Sequence, residues 1–323
     1  MNRALKYFLL LLTALGLLLL CLSLGSRFIS PLRLPEYFSG NGAGLDLQIL
    51  FHLRLPRLLT ALLIGSSLSV SGAIFQAVLK NPLSDPYTTG VSGGAALGAT
   101  LAVVFSLGPL FLTLFSFAGS LAAVLIVFGI SRLRGFGGST LILAGIALSF
   151  VLSSGVLLIF AFTKAQEVHK ALLWLMGDLS LARYALAGRA ALLMLLLLLL
   201  SLLYRRHLDI LSLGDEFARS HGIGRSDVMN LFWIASLLAA LSVSLAGIIG
   251  FVGLVVPHLM RRLIGADHGR LLPASALAGG VFLALSDTIG RTAALPYEIP
   301  AGIITGFIGG LFFLFLLVRE GRQ

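Results

Sequence analysis

Between Asp85 and Arg132 the chain runs for 46 residues, 86 to 131, without one Asp, Glu, Lys, Arg or His. A stretch of that length holds two membrane crossings. An α-helix rises about 1.5 Å per residue, so roughly 20 apolar residues cross about 30 Å of hydrocarbon. The chain is therefore expected to be an all-α, polytopic membrane protein with the lipid bilayer as its solvent.

Composition fits that reading. Of 323 residues 58% are hydrophobic and 11% are Asp, Glu, Lys or Arg, and 37 glycines outnumber 23 lysines and arginines. Glycine is frequent in membrane helices because it lets backbones approach where no hydrophobic force drives helices together. A net charge of +10 would suit nucleic acid, but the basic residues lie between apolar runs instead of gathering in one patch. No nucleic-acid partner is expected. Cys21 is the single cysteine, inside an apolar run, which excludes an internal disulfide and a cysteine-based metal site.

Charge-free windows place the spans. Arg3 and Lys6 precede an uncharged run from 7 to 26, longer than the apolar core of about 7–15 residues in a secretory signal, and it reads as a retained helix. Further spans fall at 58 to 79, at 135 to 163 and at 190 to 204, the last extended back past Arg189. The 86 to 131 window divides at Ser106, Gly108 and Pro109. From 228 to 260 lie 33 residues without Asp, Glu, Lys or Arg, interrupted by Gly247, Gly250, Gly253 and Pro257, so a full span and a short bent one are expected there. Segments 271 to 290 and 299 to 318 bring the expectation to about ten. With both termini cytoplasmic, 14 of the 23 lysines and arginines lie on inner segments and nine on outer ones, in keeping with the positive-inside rule for the cell (inner) membrane. Basic residues kept on the disfavoured outer side point to an acidic partner.

The string Leu-Ser-Val-Ser at 68–71, before Gly72, recurs at 241–244, before Gly247, each late in a span and followed by a proline, Pro82 or Pro257. The two spans run in opposite directions in this topology. An inverted repeat is the expectation, as in many transporters.

Three longer blocks carry a resemblance. Residues 53 to 94 read LRLPRLLTALLIGSSLSVSGAIFQAVLKNPLSDPYTTGVSGG, 247 to 273 read GIIGFVGLVVPHLMRRLIGADHGRLLP, and 286 to 310 read SDTIGRTAALPYEIPAGIITGFIGG. They resemble, in order, the blocks of the FecCD permease family, the membrane subunits of binding-protein-dependent ABC importers for iron–siderophores, haem and cobalamin. The resemblance implies one permease domain over 1–323, working as a dimer, a homodimer being favoured. It also implies two separate ABC ATPase subunits that bind the ATP and a substrate-binding protein at the outer face. An iron–siderophore complex is the favoured cargo, with haem and cobalamin next. The chain is expected to hold no cofactor and to be no enzyme, and the residues support a separate ATPase. A phosphate-cradling P-loop needs Gly-Lys-Ser/Thr, and none of Lys6, Lys80, Lys164 and Lys170 follows a glycine.

The family pattern assigns roles by position. Arg54, Arg57 and Arg291 match arginines that meet glutamates of the binding protein, a task that suits a permanently charged, bidentate guanidinium. The alternatives are headgroup anchoring for Arg54 and Arg57 and an i,i+4 pair with Asp287 for Arg291. The inner loop 205–229 matches the coupling segment that docks on the ATPase. Within it Gly214, Ala218 and Gly222 fit the family's small-residue spacing, and Asp215, Glu216 and Arg219 favour a short helix. Asn81 and Leu83, after span 2, match a cytoplasmic gate, with the turn Gly138, Ser139 and Thr140 as neighbour. Trp174, Met176 and Gly177 read as packing residues. His258, a lone histidine, reads as structural or ATPase-side, since a transition metal wants several ligands. Two other classes compete. Gly90 to Gly93 spell GxSG, so Ser92 with His258 describes an intramembrane serine protease, and Asp287 alone suits an ion-coupled secondary transporter.

Overall fold

A computed structural model describes residues 3–39, 44–134, 137–180 and 184–320, and the helices follow the charge map. Helix α1 is Arg3–Ser23 and α2 is Leu55–Val78. A helical turn, Leu45–Gln48, and a π-helical stretch, Ile49–Arg54, lead into α2 and make one rod of 34 residues, Leu45–Val78. Pro56 offers no N–H to the preceding turn, and the π-helical stretch ends where that donor is missing. The long uncharged window divides as expected into α3 (Val91–Val104) and α4 (Pro109–Leu133). Then follow α5 (Gly138–Ala161), α6 (Ala165–Leu175), α7 (Tyr184–Leu203), α8 (Arg205–Leu211) and α9 (Asp215–Ser220). The last four are α10 (Arg225–Ala246), α11 (Val252–Ile264), α12 (His268–Ala293) and α13 (Ala301–Glu320).

Among the described residues six helices are long and apolar enough to cross a membrane, and α7 with α8, bent by 57°, makes a seventh. The expected ten exceeds that number because α3 and α11 are short and the apolar stretch of α13 is Ala301–Leu316. Helices α2, α10 and α12 form the centre, buried over most of their length, whereas α1 and α5 leave most of their surface uncovered. The centre is built on close backbone approach. A Cβ on Gly72 would overlap the carbonyl oxygen of Gly253 in α11, and one on Gly65 the carbonyl of Gly279 in α12. In a bilayer such contact replaces the hydrophobic drive that packs soluble helices.

Pro257 lies inside α11 and cannot donate to the carbonyl four residues back, that of Gly253. The Gln76 side-chain amide of α2 reaches it instead, Nε2 to Gly253 O 3.4 Å and to Leu254 O 3.3 Å. Its own Oε1 accepts from Arg261 Nη1 at 3.0 Å. Glutamine, proline and arginine, far apart in sequence, thus act as one joint that repairs a broken ladder.

Helix lengths run 24, 14, 25 and 24 residues from α2 to α5, and 22, 13, 26 and 20 from α10 to α13. In each series the short helix starts after a residue with left-handed backbone, Gly90 (φ 83°) or Phe251 (φ 67°). That shared order and cap carry the internal repeat further than the four matching residues did.

Candidate functional site

The arginines expected at the outer face come first. Helix α1 ends at Ser23, and the last carbonyls of any helix lack intrahelical partners. Arg54, only 3% exposed, supplies them: Nη1 donates to Leu22 O at 2.6 Å and to Ser23 O at 2.9 Å, and Nη2 to Arg27 O. Arg291 Nη2 donates to Cys21 O of the same turn and to Thr288 Oγ1 at 3.3 Å. Both arginines therefore cap α1 from within the protein, where a cation at a helix C-terminus is favoured. Among the described residues Arg291 makes no direct salt bridge to Asp287, the alternative reading of its role. Asp287 instead binds Arg57, Oδ1 to Nη2 2.7 Å, and Arg57 Nη1 binds Glu298 Oε2 at 2.7 Å. Arg57 so joins α2 to buried Asp287 on one side and half-exposed Glu298 on the other. Asp287 is a counter-ion here.

Capping has a testable consequence. Arg54→Met keeps the apolar stem and leaves buried carbonyls unpaired, at a cost of about 1–3 kcal/mol each. Thermal unfolding of the purified protein in detergent should show a clear loss of stability. An unchanged midpoint would mean that Arg54 acts only on an outside partner.

At its C-terminal end α2 closes in a left-handed turn at Lys80 (φ 50°), with Asn81 N–H on Gln76 O at 3.2 Å and Lys80 N–H on Ala77 O at 3.3 Å. This is the hydrogen-bond pattern that closes helices at a left-handed residue. Asn81 Oδ1 then accepts the Leu83 N–H at 3.0 Å, and the Leu83 side chain stands 42% exposed. A Cβ on Gly138 would lie 3.3 Å from Leu79 O. The structure thus brings the two expected gate segments together, with Ser139 exposed and Thr140 half-buried beside them.

Helices α3 and α11 rise only about 20 Å, short of the hydrocarbon thickness. Non-helical backbone must complete any crossing, and it is tolerated only inside protein or along a water-filled cavity. The two lead-in segments, 85–90 and 247–251, meet. The Tyr87 hydroxyl donates to Ile249 O at 2.9 Å and accepts the Ile249 N–H at 3.1 Å. Asp85 Oδ1 accepts the Tyr87 N–H at 2.9 Å. The glycines of the Gly90–Gly93 string serve this packing. Gly90 is the left-handed cap of α3, and Gly93 lies against Ser149 and Leu152 of α5. Gly177, next to Trp174 and Met176, packs on Ile248 O, as the packing reading of that stretch expects.

The coupling stretch folds as two short helices, α8 and α9. Gly214 (φ 121°) and Gly222 (φ 80°) flank α9 in backbone conformations that L side chains rarely adopt. Ile223 N–H bonds Ala218 O at 3.0 Å and Gly222 N–H bonds Arg219 O at 3.1 Å, closing α9 in a Schellman turn. Ala218, 3% exposed, packs inward with Ile223. The exposed face carries Glu216 and Arg219, together with Leu213 (67%) and Phe217 (42%), which reading by charge and small-residue spacing passes over. The Asp215 side chain lies outside the described residues.

Paired half-length helices whose lead-in loops meet inside a glycine-packed bundle define a class: a multi-pass helical permease. The chain belongs to the FecCD transport family, whose profile matches residues 10–319, and it is a permease subunit of the ABC importer kind. It is 40% identical over 317 residues to the hemin transport system permease protein HmuU of Yersinia pestis, covering 95% of each chain. It is 39% identical over 268 residues to the cobalamin import system permease protein BtuC of Halobacterium salinarum, covering 82% of this chain and 72% of that one. A solved structure described as a metal-chelate type ABC transporter in an inward-facing conformation superposes with a TM-score of 0.85 at 30% identity, covering 98% of this chain and 100% of that one.

Proposed function

We propose that two copies of this chain form the pore of an importer that carries a metal chelate through the cell membrane, inner where there are two. Each copy crosses about ten times, as an inverted repeat, with both termini in the cytoplasm. A binding protein delivers the chelate at the outer face, and two separate ATPase subunits, which bind the ATP, drive the cycle from the inner face. The cargo class follows the relatives, whose names cover hemin, cobalamin, siderophore and iron citrate. An iron–siderophore complex remains the favoured member.

The observation that carries this reading is the α8–α9 segment. Its fold is fixed from inside by Ala218 and Ile223, while Leu213 and Phe217 point apolar surface outward. Clustered apolar residues of that kind mark protein contacts. Phe217→Asp should lower co-purification of the ATPase subunits by about tenfold or more and leave thermal unfolding of the permease unchanged. Undiminished co-purification would remove α9 from the interface.

Docking outside uses Arg57. A carboxylate of the binding protein competes with half-exposed Glu298 for Nη1, while Asp287 keeps hold of Nη2. Asn81, Leu83 and the Gly138 turn close the inner end. ATP and the loaded binding protein must favour different states of the pore, since a ligand shifts an equilibrium only by its differential affinity.

The competing classes lose their supports. Family membership and the packing roles of Gly90 and Gly93 speak against a protease at Ser92, and the Arg57 pair removes Asp287 as a free ion site.

A further inference from the structure

Helix α8 is tied to the start of α12 by a bond that neither helix needs for its own sake. Leu208 and Leu211 of α8 are buried, and α8 lies against α12. The first backbone N–H groups of a helix have no partner within it. Asp267 caps α12, its Oδ1 accepting the Gly269 N–H at 2.8 Å. The His268 N–H turns to another element, donating to Oδ1 of Asp209 in α8 at 2.7 Å. The His268 ring Nδ1 lies 2.7 Å from the same oxygen. A carboxylate oxygen only accepts, so Nδ1 carries the proton.

A cap needs only the backbone bond. The ring, its side chain 2% exposed, adds a second donor to one oxygen and so fixes how α8 sits on α12. Arg205, the first residue of α8, lies there too: a Cβ on Gly269 would come within 3.3 Å of Arg205 Cδ. From this corner a short route leads to the turn at 81–83. Residues 265–267 alone part α12 from α11, which leaves little length to absorb a displacement. Arg261, in the last turn of α11, donates to Gln76 Oε1 at 3.0 Å, and the Gln76 backbone oxygen accepts the Asn81 N–H at 3.2 Å.

We propose that Asp209 and His268 are positioning residues of the transport cycle. Their paired hydrogen bonds make α8 and the α11–α12 corner move as one body, so that ATPase motion at α8–α9 reaches the turn of Asn81 and Leu83. This deepens the importer reading and rests on it. Hydrogen bonds to a charged oxygen are roughly twice as strong as neutral ones, which suits a joint that must hold under motion. A bond that merely stabilised the fold would leave every assembled variant fully coupled.

The test uses the complex with its ATPase subunits and reads the turn directly. Cys21 is the only cysteine of the chain, so Leu83→Cys in a Cys21→Ala background gives one addressable thiol, at a position 42% exposed. ATP should change its rate of labelling by a maleimide by about fivefold or more. Adding Asp209→Ala should abolish most of that change while the ATPase subunits still co-purify. Asp209→Asn, whose side-chain oxygen accepts the same two bonds, should keep it. In proteoliposomes, chelate taken up per ATP hydrolysed should fall by about fivefold with Asp209→Ala and recover with Asp209→Asn. His268→Leu removes the ring donor and repeats the measurement where Asp209→Ala fails to assemble.

A full ATP response in Asp209→Ala, or in His268→Leu where it stands in, overturns the proposal. So does a response lost in Asp209→Asn as well, since the shared acceptor would then not be what matters. Loss of co-purification in Asp209→Ala also overturns it, because Asp209 would then belong to the ATPase contact itself. A complex with Asp209 and His268 intact that shows no ATP response at Leu83→Cys takes down the importer reading together with the proposal, so the two failures are told apart.

Discussion

Replacing Gly72 with valine is expected to prevent assembly of the bundle. The added Cβ would overlap the Gly253 carbonyl oxygen, carbon and Cα, all backbone atoms, so no flexible side chain can yield. Overpacking a well-packed core costs about 1–3 kcal/mol when side chains can adjust, and more where backbones must separate. The same residues hold the Gln76–Gly253 bond that repairs the Pro257 break, so parting α2 from α11 also exposes an unpaired carbonyl. Gly129→Ala in α4 is the control: nothing lies within 4 Å of its added carbon, and a small gain in stability is expected there. Size-exclusion profiles in detergent, before and after a mild heating step, check both. A Gly72→Val protein that elutes and melts like the wild type would contradict the packing described for α2 and α11.

The second large effect belongs to Asp287. Asp287→Ala strands the Arg57 guanidinium, whose side chain is 14% exposed, next to an unfilled site. Breaking a buried pair by removing one partner costs about 3–5 kcal/mol, because a desolvated charge is left behind. Glu298→Ala should cost less, about 1 kcal/mol or below, since its half of the network is half-exposed and water replaces it. Arg57→Met in the Asp287→Ala background should restore much of the loss, as a buried pair replaced by apolar groups of similar size often does. Unfolding midpoints for the single and double variants give the coupling directly. Additive losses would mean that the two side chains do not act as a pair.

What the sequence shows plainly is whatever depends on neighbours in the chain. Missing charge marks where helices run, glycine and proline mark where they break, and the division at Ser106, Gly108 and Pro109 falls where expected. The turns at 81–83 and 138–140 are legible because each lies beside a helix end. The roles of Arg54 and Arg291 are not. Both look like outward cations in one dimension, and only the fold places the α1 terminus against them, with Arg54 30 or more residues from two of the carbonyls it caps. The same holds for Tyr87 on Ile249, 162 residues apart, and for Arg261 on Gln76, 185 apart. Ala218 illustrates a different limit. Small-residue spacing identifies a close contact without saying with what, and here the partner is Ile223 of the same turn. Phe217 beside it, an aromatic residue among charges in α9, is 42% exposed, which spacing alone does not reveal.

The central claim is that this bundle conducts and does not itself drive. Proteoliposomes holding the chain alone, and proteoliposomes holding it with its ATPase subunits and enclosed ATP, can be compared for uptake of a labelled ferric chelate presented by its binding protein. The account predicts concentration of the chelate above the outside level only when the ATPase and ATP are both present. Uphill accumulation by the chain alone, with or without an ion gradient, would contradict it.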